Sequence, residues 1–303
     1  MPAPIVLVTG SAGRVGRAIV ARLATTWQVR TLDRLAAPGV EFVGDLADAA
    51  LLRRVLAGAD AVVHVAALHA PHVGVEPDAE FERINVDGTR RLLDAAVAAQ
   101  VGRIVFTSTT ALYGMACDDP QRAVFVDESL PPQPRTIYHR TKLAAEALLR
   151  EAARQGGPRL RILRMSRCFP EPVNVMAAFR LHRGIDARDV AEAHALALAD
   201  AAGRDAHDTF VVSGPTPFLP QDAEALRYAP AGTLAARCRA LVTAFAQRRW
   251  PLPASIDRVY SAQRARQVLG WHPQHGWDEV LRQFDAGSNE VLAADATGAW
   301  QPD

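Results

Sequence analysis

The chain has 303 residues, of which 49% are hydrophobic and 22% charged, a composition typical of a folded globular protein. Its formal net charge of +1 favours neither nucleic acid nor an anionic membrane surface as a partner, and no apolar run is long enough to span a membrane. The three cysteines are far apart and odd in number, so we expect no disulfide framework, no metal site and a cytoplasmic location.

Strand and helix patterns alternate through the first half of the chain. Short apolar runs predict strands at 5–9, 29–32, 40–43, 61–65 and 103–107. Amphipathic stretches predict helices at 15–23, 47–57 and 80–99. Continuous apolar strands separated by helices are typical of a parallel sheet that is buried on both faces. We therefore predict an α/β fold with a Rossmann-like, doubly wound parallel sheet.

The second half is less regular. Its patterns predict strands at 160–164 and 209–212, and helices at 138–151, 188–200, 232–249 and 261–269. We assign residues 1–165 to an NAD(P)-binding Rossmann domain. Residues 166–303 are assigned mostly to a smaller substrate-binding lobe, with some segments returning to the Rossmann core. The Ala/Asp/Gly-rich tail at 286–303 is expected to be loosely ordered.

A glycine-rich segment, TGSAGRVG, joins the first predicted strand to the first predicted helix. Gly10, Gly13 and Gly16 let the backbone turn tightly, while the start of the helix at Arg14 and Val15 offers free N–H groups to an anion. The spacing is G-x-x-G-x-x-G rather than the common G-x-G-x-x-G. In this strand–turn–helix setting it predicts binding of a dinucleotide pyrophosphate.

Asp33 ends the second predicted strand and is suited to accept hydrogen bonds from both ribose hydroxyls of NAD. The same carboxylate repels the additional phosphate of NADP. However, Arg34 follows it and Arg14 lies in the glycine segment, and two guanidinium groups could tolerate that phosphate. NAD is therefore favoured, and NADP is left open.

Segments that contain small residues, Gly44-Asp45-Leu46 and Ala66-Ala67, follow two further strands. Asp45 and Leu46 come after the third strand, and Ala66 and Ala67 after the fourth, where a cofactor could lie across the sheet edge. His64 ends the fourth strand, but its apolar surroundings favour a structural histidine over a catalytic one.

Tyr138 and Lys142 are the strongest candidates for chemistry. Four residues apart on a predicted helix, they share one face, and a lysine cation beside a tyrosine would lower the pKa of its phenol. The tyrosine could then take the proton of an alcohol as hydride leaves the carbon. Thr109, near the end of the preceding strand, would add a hydroxyl to this site.

Together these segments resemble the extended short-chain dehydrogenase/reductase family, whose members include nucleotide-sugar epimerases and dehydratases. The resemblance covers most of the first 200 residues and returns in LGWHP near the C-terminus. The segments that carry it are TGSAGRVG, Asp33, GDL (44–46), HVAA (64–67), NVDGT (85–89), STTALYG (108–114) and YHRTK (138–142).

The resemblance implies roles for single residues. Thr109 stands at the position of the catalytic serine or threonine, and Tyr138 at that of the acid/base. Lys142 would bind the nicotinamide ribose, and Asn85 would orient this part of the site. It also implies a homodimer formed through the helices predicted at 80–99 and 138–151.

Departures from the family pattern narrow the activity. Thr110 and Ala111 stand where dehydratases carry an Asp-Glu pair, which disfavours a 4,6-dehydratase. The stretch at 164–172 lacks the asparagine and glycine of epimerases and resembles uronate dehydrogenases instead. The arginine-rich segment that follows in those enzymes is absent at 173–176, which puts a uronic acid substrate in doubt.

The leading hypothesis is an NAD(P)-dependent oxidoreductase that moves hydride to or from a secondary alcohol carbon of a sugar-like or other polar small molecule. The first alternative is a UDP-glucose 4-epimerase-like enzyme that keeps its NAD, and the second is a non-catalytic dinucleotide-binding protein. His69, Arg167 and Arg180 are predicted substrate contacts. Cys168 is predicted to be a buried structural thiol.

Overall fold

Seven parallel strands form the central sheet of the protein, whose computed structural model describes residues 3–200 and 205–295. Across the sheet they run β3 (Phe42–Val43), β2 (Gln28–Asp33), β1 (Ile5–Thr9), β4 (Ala61–His64), β5 (Arg103–Thr109), β7 (Arg159–Met165) and β8 (His207–Val212), labelled in chain order. The predicted α/β class is therefore confirmed. The chain fills one side of β1 with β2 and β3 and then crosses to β4, so a crevice opens between the carboxyl ends of β1 and β4.

Helices cover both faces of the sheet. On one face α1 (Arg14–Leu23) packs beside α7 (Ala187–Ala199), and their apolar side chains form a continuous core with the strands. On the other face lie α2 (Ala49–Leu56), α4 (Gly88–Ala98) and α5 (Ile137–Arg154), which bury a second core. Strands buried on both faces must be apolar throughout, and β4 is buried at every residue.

The helix predicted over 80–99 is interrupted. It consists of α3 (Asp78–Phe81), a π-helical segment at Glu82–Asp87 and then α4. A π segment places one more residue in each turn than an α-helix does, and such segments occur frequently at functional sites. This one holds Asn85, which is 2% exposed.

A smaller lobe stands over the sheet edge. Its apolar core joins helices α6 (Val173–Phe179), α8 (Ala223–Tyr228), α9 (Pro230–Arg237), α10 (Arg239–Arg248) and α12 (Trp277–Asp285). The helix predicted over 232–249 is thus two helices, because Cys238 adopts a non-helical backbone with φ −144° and ψ 55°.

A two-stranded parallel sheet completes the lobe. Its strands are β6 (Val124–Val126) and β9 (Arg258–Tyr260), which are far apart in the sequence. The pairing brings β6, which lies in the part assigned to the Rossmann domain (1–165), into the lobe. Conversely, α7 and β8 follow residue 165 but belong to the layers of the main sheet. The sequence patterns did not predict either β6 or β9.

The LGWHP segment ties the C-terminal part to the main core. It follows α11 (Gln263–Leu269), and Trp271 is fully buried against α7. The indole Nε1 donates to the Asp189 carbonyl at 3.0 Å, and the Asp189 carboxylate accepts from the backbone N–H groups of Gln274 and His275. Of the tail predicted to be loosely ordered, residues 296–303 lie outside the described residues. Among the residues described, no helix is long and apolar enough to cross a membrane.

A buried ion-pair network joins α5 to β7 beneath the sheet edge. Glu146 is fully buried and accepts from Arg164 Nε at 3.0 Å and Nη2 at 2.7 Å, and from Ser108 Oγ at 2.5 Å. Arg164 also donates to the Tyr113 hydroxyl at 3.0 Å. These neighbours hold the pKa of Glu146 below its ordinary value against the effect of burial, so its carboxylate stays charged.

We expect Arg164→Met to lower the free energy of unfolding by about 3–5 kcal/mol, because it leaves the buried Glu146 carboxylate without its main partner. Urea unfolding measures the change. Arg154→Met, which breaks an exposed pair with Glu151, is the control and should cost less than about 1 kcal/mol. Equal costs for the two variants would contradict this account of the network.

Candidate active site

One continuous cleft runs along the carboxyl edge of the sheet. It consists of two cavities of about 300 and 340 Å³ that share Val65, Ala67 and His69 in their walls. The larger cavity lies over the glycine segment and the end of β2. The smaller lies over the ends of β5 and β7 and reaches the lobe. Clefts at this position are where open α/β sheets bind ligands.

The glycine segment packs its backbone too closely for side chains. A Cβ on Gly16 would lie 2.1 Å from the Gly10 carbonyl oxygen, and one on Gly10 would lie 2.7 Å from the Ala66 nitrogen. Gly10 also has a φ of +71°, a conformation that strains other residues. The start of α1 therefore faces the larger cavity as bare backbone, which fits a dinucleotide pyrophosphate.

Asp33 lies at the far end of the same cavity. Its carboxylate accepts from the backbone N–H groups of Ala12 and Leu35, each at 2.9 Å, so it is fixed beside the glycine segment. Arg34 also lines this cavity. Arg14 does not, because it donates to the Cys168 carbonyl at 3.1 Å and pairs with Glu290 at 2.6 Å.

Most of the residues predicted to bind the cofactor surround this larger cavity. The structure places there Gly10, Gly13, Val15, Gly16, Asp33, Arg34, Asp45, Leu46, Ala66 and Ala67. Asp45 is held by Arg83 at 3.1 Å, and that arginine also pairs with Glu80.

His64 has both ring nitrogens engaged inside the fold. Nδ1 lies 2.8 Å from the Thr9 hydroxyl and Nε2 lies 2.9 Å from the Thr89 hydroxyl. Burial lowers the pKa of His64 to about 3, so the ring is neutral. The Thr9 hydroxyl in turn accepts from the N–H groups of Val65 and Ala66, which fixes the loop under the cleft.

Thr109 and Tyr138 both line the smaller cavity, and the Thr109 side chain acts on the phenol of Tyr138. Thr109 ends β5, and its hydroxyl also accepts from the Ala111 N–H at 3.1 Å. Tyr138 opens α5, whose N-terminus Thr136 caps. Burial raises the pKa of Tyr138 to about 12, although Thr109 acts to lower it.

Lys142 lies one turn along α5 in the same wall, and it is the only lysine in the sequence. Its ammonium donates to the Thr107 carbonyl at 2.6 Å and lies 4.0 Å from the centre of the Phe106 ring. Burial lowers the pKa of Lys142 to about 7, although Glu146 acts to raise it. The expectation that the lysine lowers the tyrosine pKa is therefore wrong for this arrangement, since burial dominates both groups.

Asn85 does not line either cavity. Its side chain accepts from the Leu68 N–H at 2.8 Å, and donates to the Leu68 carbonyl at 2.9 Å and to the Thr141 hydroxyl at 3.1 Å. It thereby joins the loop after β4 to α5, next to the turn that carries Lys142. The structure gives Asn85 a supporting position behind the site.

The predicted substrate contacts separate into two groups. His69 and Arg167 line the smaller cavity on either side of Phe169, whose ring stacks on His69 at 5.7 Å. Arg180 does not line it, because it is 2% exposed and its guanidinium bonds Asp186 at 3.2 Å. Cys168 is buried in the cavity wall, and burial raises the pKa of its thiol to about 11.

Several polar residues of the smaller cavity were not predicted. Ser166 follows β7, and its buried hydroxyl has no partner among the described residues. Tyr260, Arg183 and Arg258 reach the cavity from the lobe, and Arg135 from the segment before α5. A polar residue next to the end of a strand could have indicated Ser166, but no local pattern marks the lobe residues.

Comparison with known proteins identifies the family. The model of the NAD dependent epimerase/dehydratase family matches residues 6–175. A UDP-glucose 4-epimerase from Rhizobium leguminosarum bv. trifolii is 30% identical over 339 aligned positions, covering 96% of this chain and 100% of that protein. An L-arabinose 1-dehydrogenase (NAD(P)(+)) from Haloferax volcanii is 35% identical over 47% of this chain and 59% of its own.

Solved structures agree in fold. A short-chain dehydrogenase/reductase superfamily protein from Agrobacterium tumefaciens with bound NAD superposes with a TM-score of 0.70 at 27% identity, covering 92% of this chain and 95% of that one. Other curated relatives are matched over only 43% and 48% of their length. The chain belongs to the NAD dependent epimerase/dehydratase family, and the resemblance stated from the motifs is confirmed.

Because Lys142 is the only lysine in the sequence, its protonation can be measured directly. In protein labelled with ¹³C at the lysine ε-carbon, we expect one resonance that titrates near pH 7, because burial disfavours the ammonium. The unfolded chain keeps this proton up to about pH 10.4, so Lys142 makes the free energy of unfolding rise between about pH 7 and pH 10. Lys142→Met removes the resonance as a control, and a midpoint above about pH 10 would refute the burial argument.

Proposed function

We propose that this member of the NAD dependent epimerase/dehydratase family is an NAD-dependent oxidoreductase acting on a secondary alcohol of a sugar-like or other polar small molecule. The observation that carries the proposal is the pair of Thr109 and Tyr138, which line one cavity together with Lys142. This pair stands at one end of a cleft whose other end holds the glycine segment and Asp33. A protein that only binds a nucleotide has no use for a buried tyrosine at that place.

NAD supplies the hydride acceptor when bound, and residues of this chain form its binding site. The backbone N–H groups at the start of α1 would hold the pyrophosphate, and Asp33 the ribose at the adenine end. Lys142, directed by Thr107, would hold the second ribose near the ends of β5 and β7. Solved relatives that carry NAD support this assignment.

Tyr138 would transfer the proton of the substrate hydroxyl. With a pKa of about 12, its phenol holds its proton at neutral pH, which suits it to donate when a carbonyl is reduced. In the oxidation direction the phenol must first lose that proton. Oxidation should therefore become faster as the pH rises, and Thr109, in the same cavity wall, would orient the phenol.

We propose NAD rather than NADP as the physiological cofactor. The fixed Asp33 carboxylate would repel a ribose phosphate, and Arg14 is engaged by Cys168 and Glu290 instead of standing beside Asp33. Arg34 remains the one predicted cation in the wall of this cavity.

Epimerisation is the second candidate, because a UDP-glucose 4-epimerase is the relative that aligns over the full length. The same residues would serve both reactions, but an epimerase keeps its NAD through each cycle. We expect protein purified without added cofactor to be free of nucleotide when denatured and examined by mass spectrometry. Stoichiometric NAD or NADH released from the protein would favour the epimerase.

We also propose a homodimer formed through the outward faces of α4 and α5, which pack side by side. Val97 on α4 is 50% exposed, and a dimer formed through this face would bury it. The three cysteines are free, which supports our placing the enzyme in the cytoplasm.

Tyr138→Phe should reduce kcat by about 10²–10⁴-fold, because it removes the acid/base while keeping the ring. NAD affinity, followed by quenching of protein fluorescence, should change little. Tyr228→Phe removes an exposed hydroxyl that bonds the Pro120 carbonyl and is the control. If Tyr138→Phe keeps most of the activity, another group carries the proton.

Asp33→Asn should lower the preference for NAD over NADP by about tenfold or more. The substitution keeps an acceptor for the Leu35 N–H but removes the charge that repels a phosphate. The ratio of kcat/KM for the two cofactors measures the change. Asp94→Asn, on an exposed position of α4, controls for general electrostatics. An unchanged ratio would show that Asp33 does not contact the ribose.

A further inference from the structure

One buried hydroxyl in the wall of the smaller cavity has no partner within the fold. Ser166 is 3% exposed, and its Oγ forms no hydrogen bond with any described residue. Folded proteins seldom leave a buried hydroxyl in this condition, because its lost hydration is not replaced. In the described part of the chain, six buried side-chain polar atoms have no partner, and two of them belong to this wall, Ser166 Oγ and His69 Nδ1. The cavity therefore has two open hydrogen-bonding groups beside the space for a ligand.

The hydroxyls of the neighbouring strand β5 that line the same cavity are engaged within the protein. Thr107 Oγ1 lies 2.7 Å from His194 Nε2, and Ser108 Oγ donates to the Glu146 carboxylate at 2.5 Å. The fold thus supplies partners for buried hydroxyls at this edge of the sheet. Ser166 is an exception to that rule.

The register of β7 places the Ser166 side chain on the side of the sheet where α5 lies. Arg164 reaches the buried network on that side, and Met165 packs into the opposite core with α1 and α7. The Ser166 N–H donates to the Val212 carbonyl at 2.9 Å, so the pairing with β8 continues through this residue. Because side chains alternate along a strand, Ser166 returns to the side of Arg164, which is also the side of Tyr138.

Both open groups are uncharged. The hydroxyl of Ser166 can donate one hydrogen bond and accept others. Burial lowers the pKa of His69 to about 4, so at neutral pH its ring donates from one nitrogen and accepts at the other. Such groups match the hydroxyls of a ligand, which also donate and accept. A rotation about one side-chain torsion is enough to turn the Ser166 hydroxyl towards the ligand.

The substrate is a better match for Ser166 than the cofactor is. Ser166 does not line the larger cavity, where the glycine segment and Asp33 would hold most of NAD. Its side of the sheet is that of Tyr138, and both residues line the smaller cavity. A molecule that presents one hydroxyl to Tyr138 can therefore present a second one to Ser166.

We infer that Ser166 is a substrate-positioning residue, whose hydroxyl binds a second hydroxyl of the substrate while the reacting one faces Tyr138. The substrate class is then an alcohol with neighbouring hydroxyl groups, and an alcohol with a single hydroxyl is a poor substrate. His69, from the loop after β4, supplies a further neutral group to the same cavity. This inference rests on the proposed function, because it places the reacting alcohol at Tyr138.

Pairs of alcohols that differ by one hydroxyl test the inference. The probes are 1,2-cyclohexanediol against cyclohexanol, and D-galactose against 2-deoxy-D-galactose, each with saturating NAD. The appearance of NADH absorbance gives kcat/KM for every probe. In at least one pair, we expect the compound with the additional hydroxyl to have a kcat/KM about tenfold higher or more, because an analogue that lacks it leaves the buried Ser166 hydroxyl unpaired.

Ser166→Ala removes only the oxygen. It should lower kcat/KM for the preferred compound by about tenfold and leave both kcat/KM for its deoxygenated partner and the affinity for NAD unchanged. General damage to the fold would instead lower both members of the pair alike. Ser255→Ala, which removes an exposed hydroxyl bonded to the Arg227 carbonyl, is the control for activity.

Urea unfolding separates this role from a structural one. The midpoint of Ser166→Ala should not fall, because the hydroxyl has no partner in the folded protein. Ser108→Ala should lower the midpoint, because it removes a donor to the buried Glu146 carboxylate. An equal fall in both variants would show that Ser166 serves the fold, and would overturn the inference.

Three kinetic results would also overturn the inference. They are equal kcat/KM within both pairs, a preference that survives in Ser166→Ala, and weaker NAD binding in that variant with the preference intact, which would assign the hydroxyl to the cofactor. A protein that binds NAD but oxidises neither the diol nor galactose would overturn it as well. Failure of the proposed function is recognised separately, because the protein would then not bind NAD, or Tyr138→Phe would keep its activity.

Discussion

Parallel strands all end at one edge of a sheet, and in this protein the strand order reverses at that edge between β1 and β4. The rest of the site depends on that constraint. It opens the crevice under the glycine segment, places Asp33 at one end and brings the ends of β5 and β7 to the other. Segments that are far apart in the sequence thereby meet in one cleft. The lobe, built on its own apolar core, then needs only to cover one end.

Burial sets the chemistry in that cleft. It pushes the pKa of Tyr138 up to about 12 and that of Lys142 down to about 7, so burial shifts both groups towards their neutral forms. The charged carboxylate of Glu146, one turn further along α5, acts against this on the lysine and is itself held by Arg164. The buried network beneath the site therefore affects the ionisation of the groups above it as well as the stability of the fold.

Local sequence was sufficient for the parts of the fold whose signals are local. The glycine segment, Asp33 and the Tyr138–Lys142 pair each follow a strand or begin a helix, so their positions could be predicted from pattern alone. The π segment around Asn85 was missed because helical periodicity does not reveal one additional residue in a turn. The pairing of β6 with β9 and the approach of Arg258 depend on contacts between distant segments. Arg180 and Arg183 show the limit most clearly. They are three positions apart, yet the first side chain is bound to Asp186 and the second lines the cavity.

The central claim is that NAD lies along this cleft with its nicotinamide at Tyr138, and a crystal structure of the protein with NAD tests it most directly. The account predicts the adenine ribose on the Asp33 carboxylate and the pyrophosphate at the start of α1. It also predicts the nicotinamide ribose beside Tyr138 and Lys142, with room for a substrate in the smaller cavity. A nucleotide bound elsewhere, or a nicotinamide turned away from Tyr138, would contradict the account.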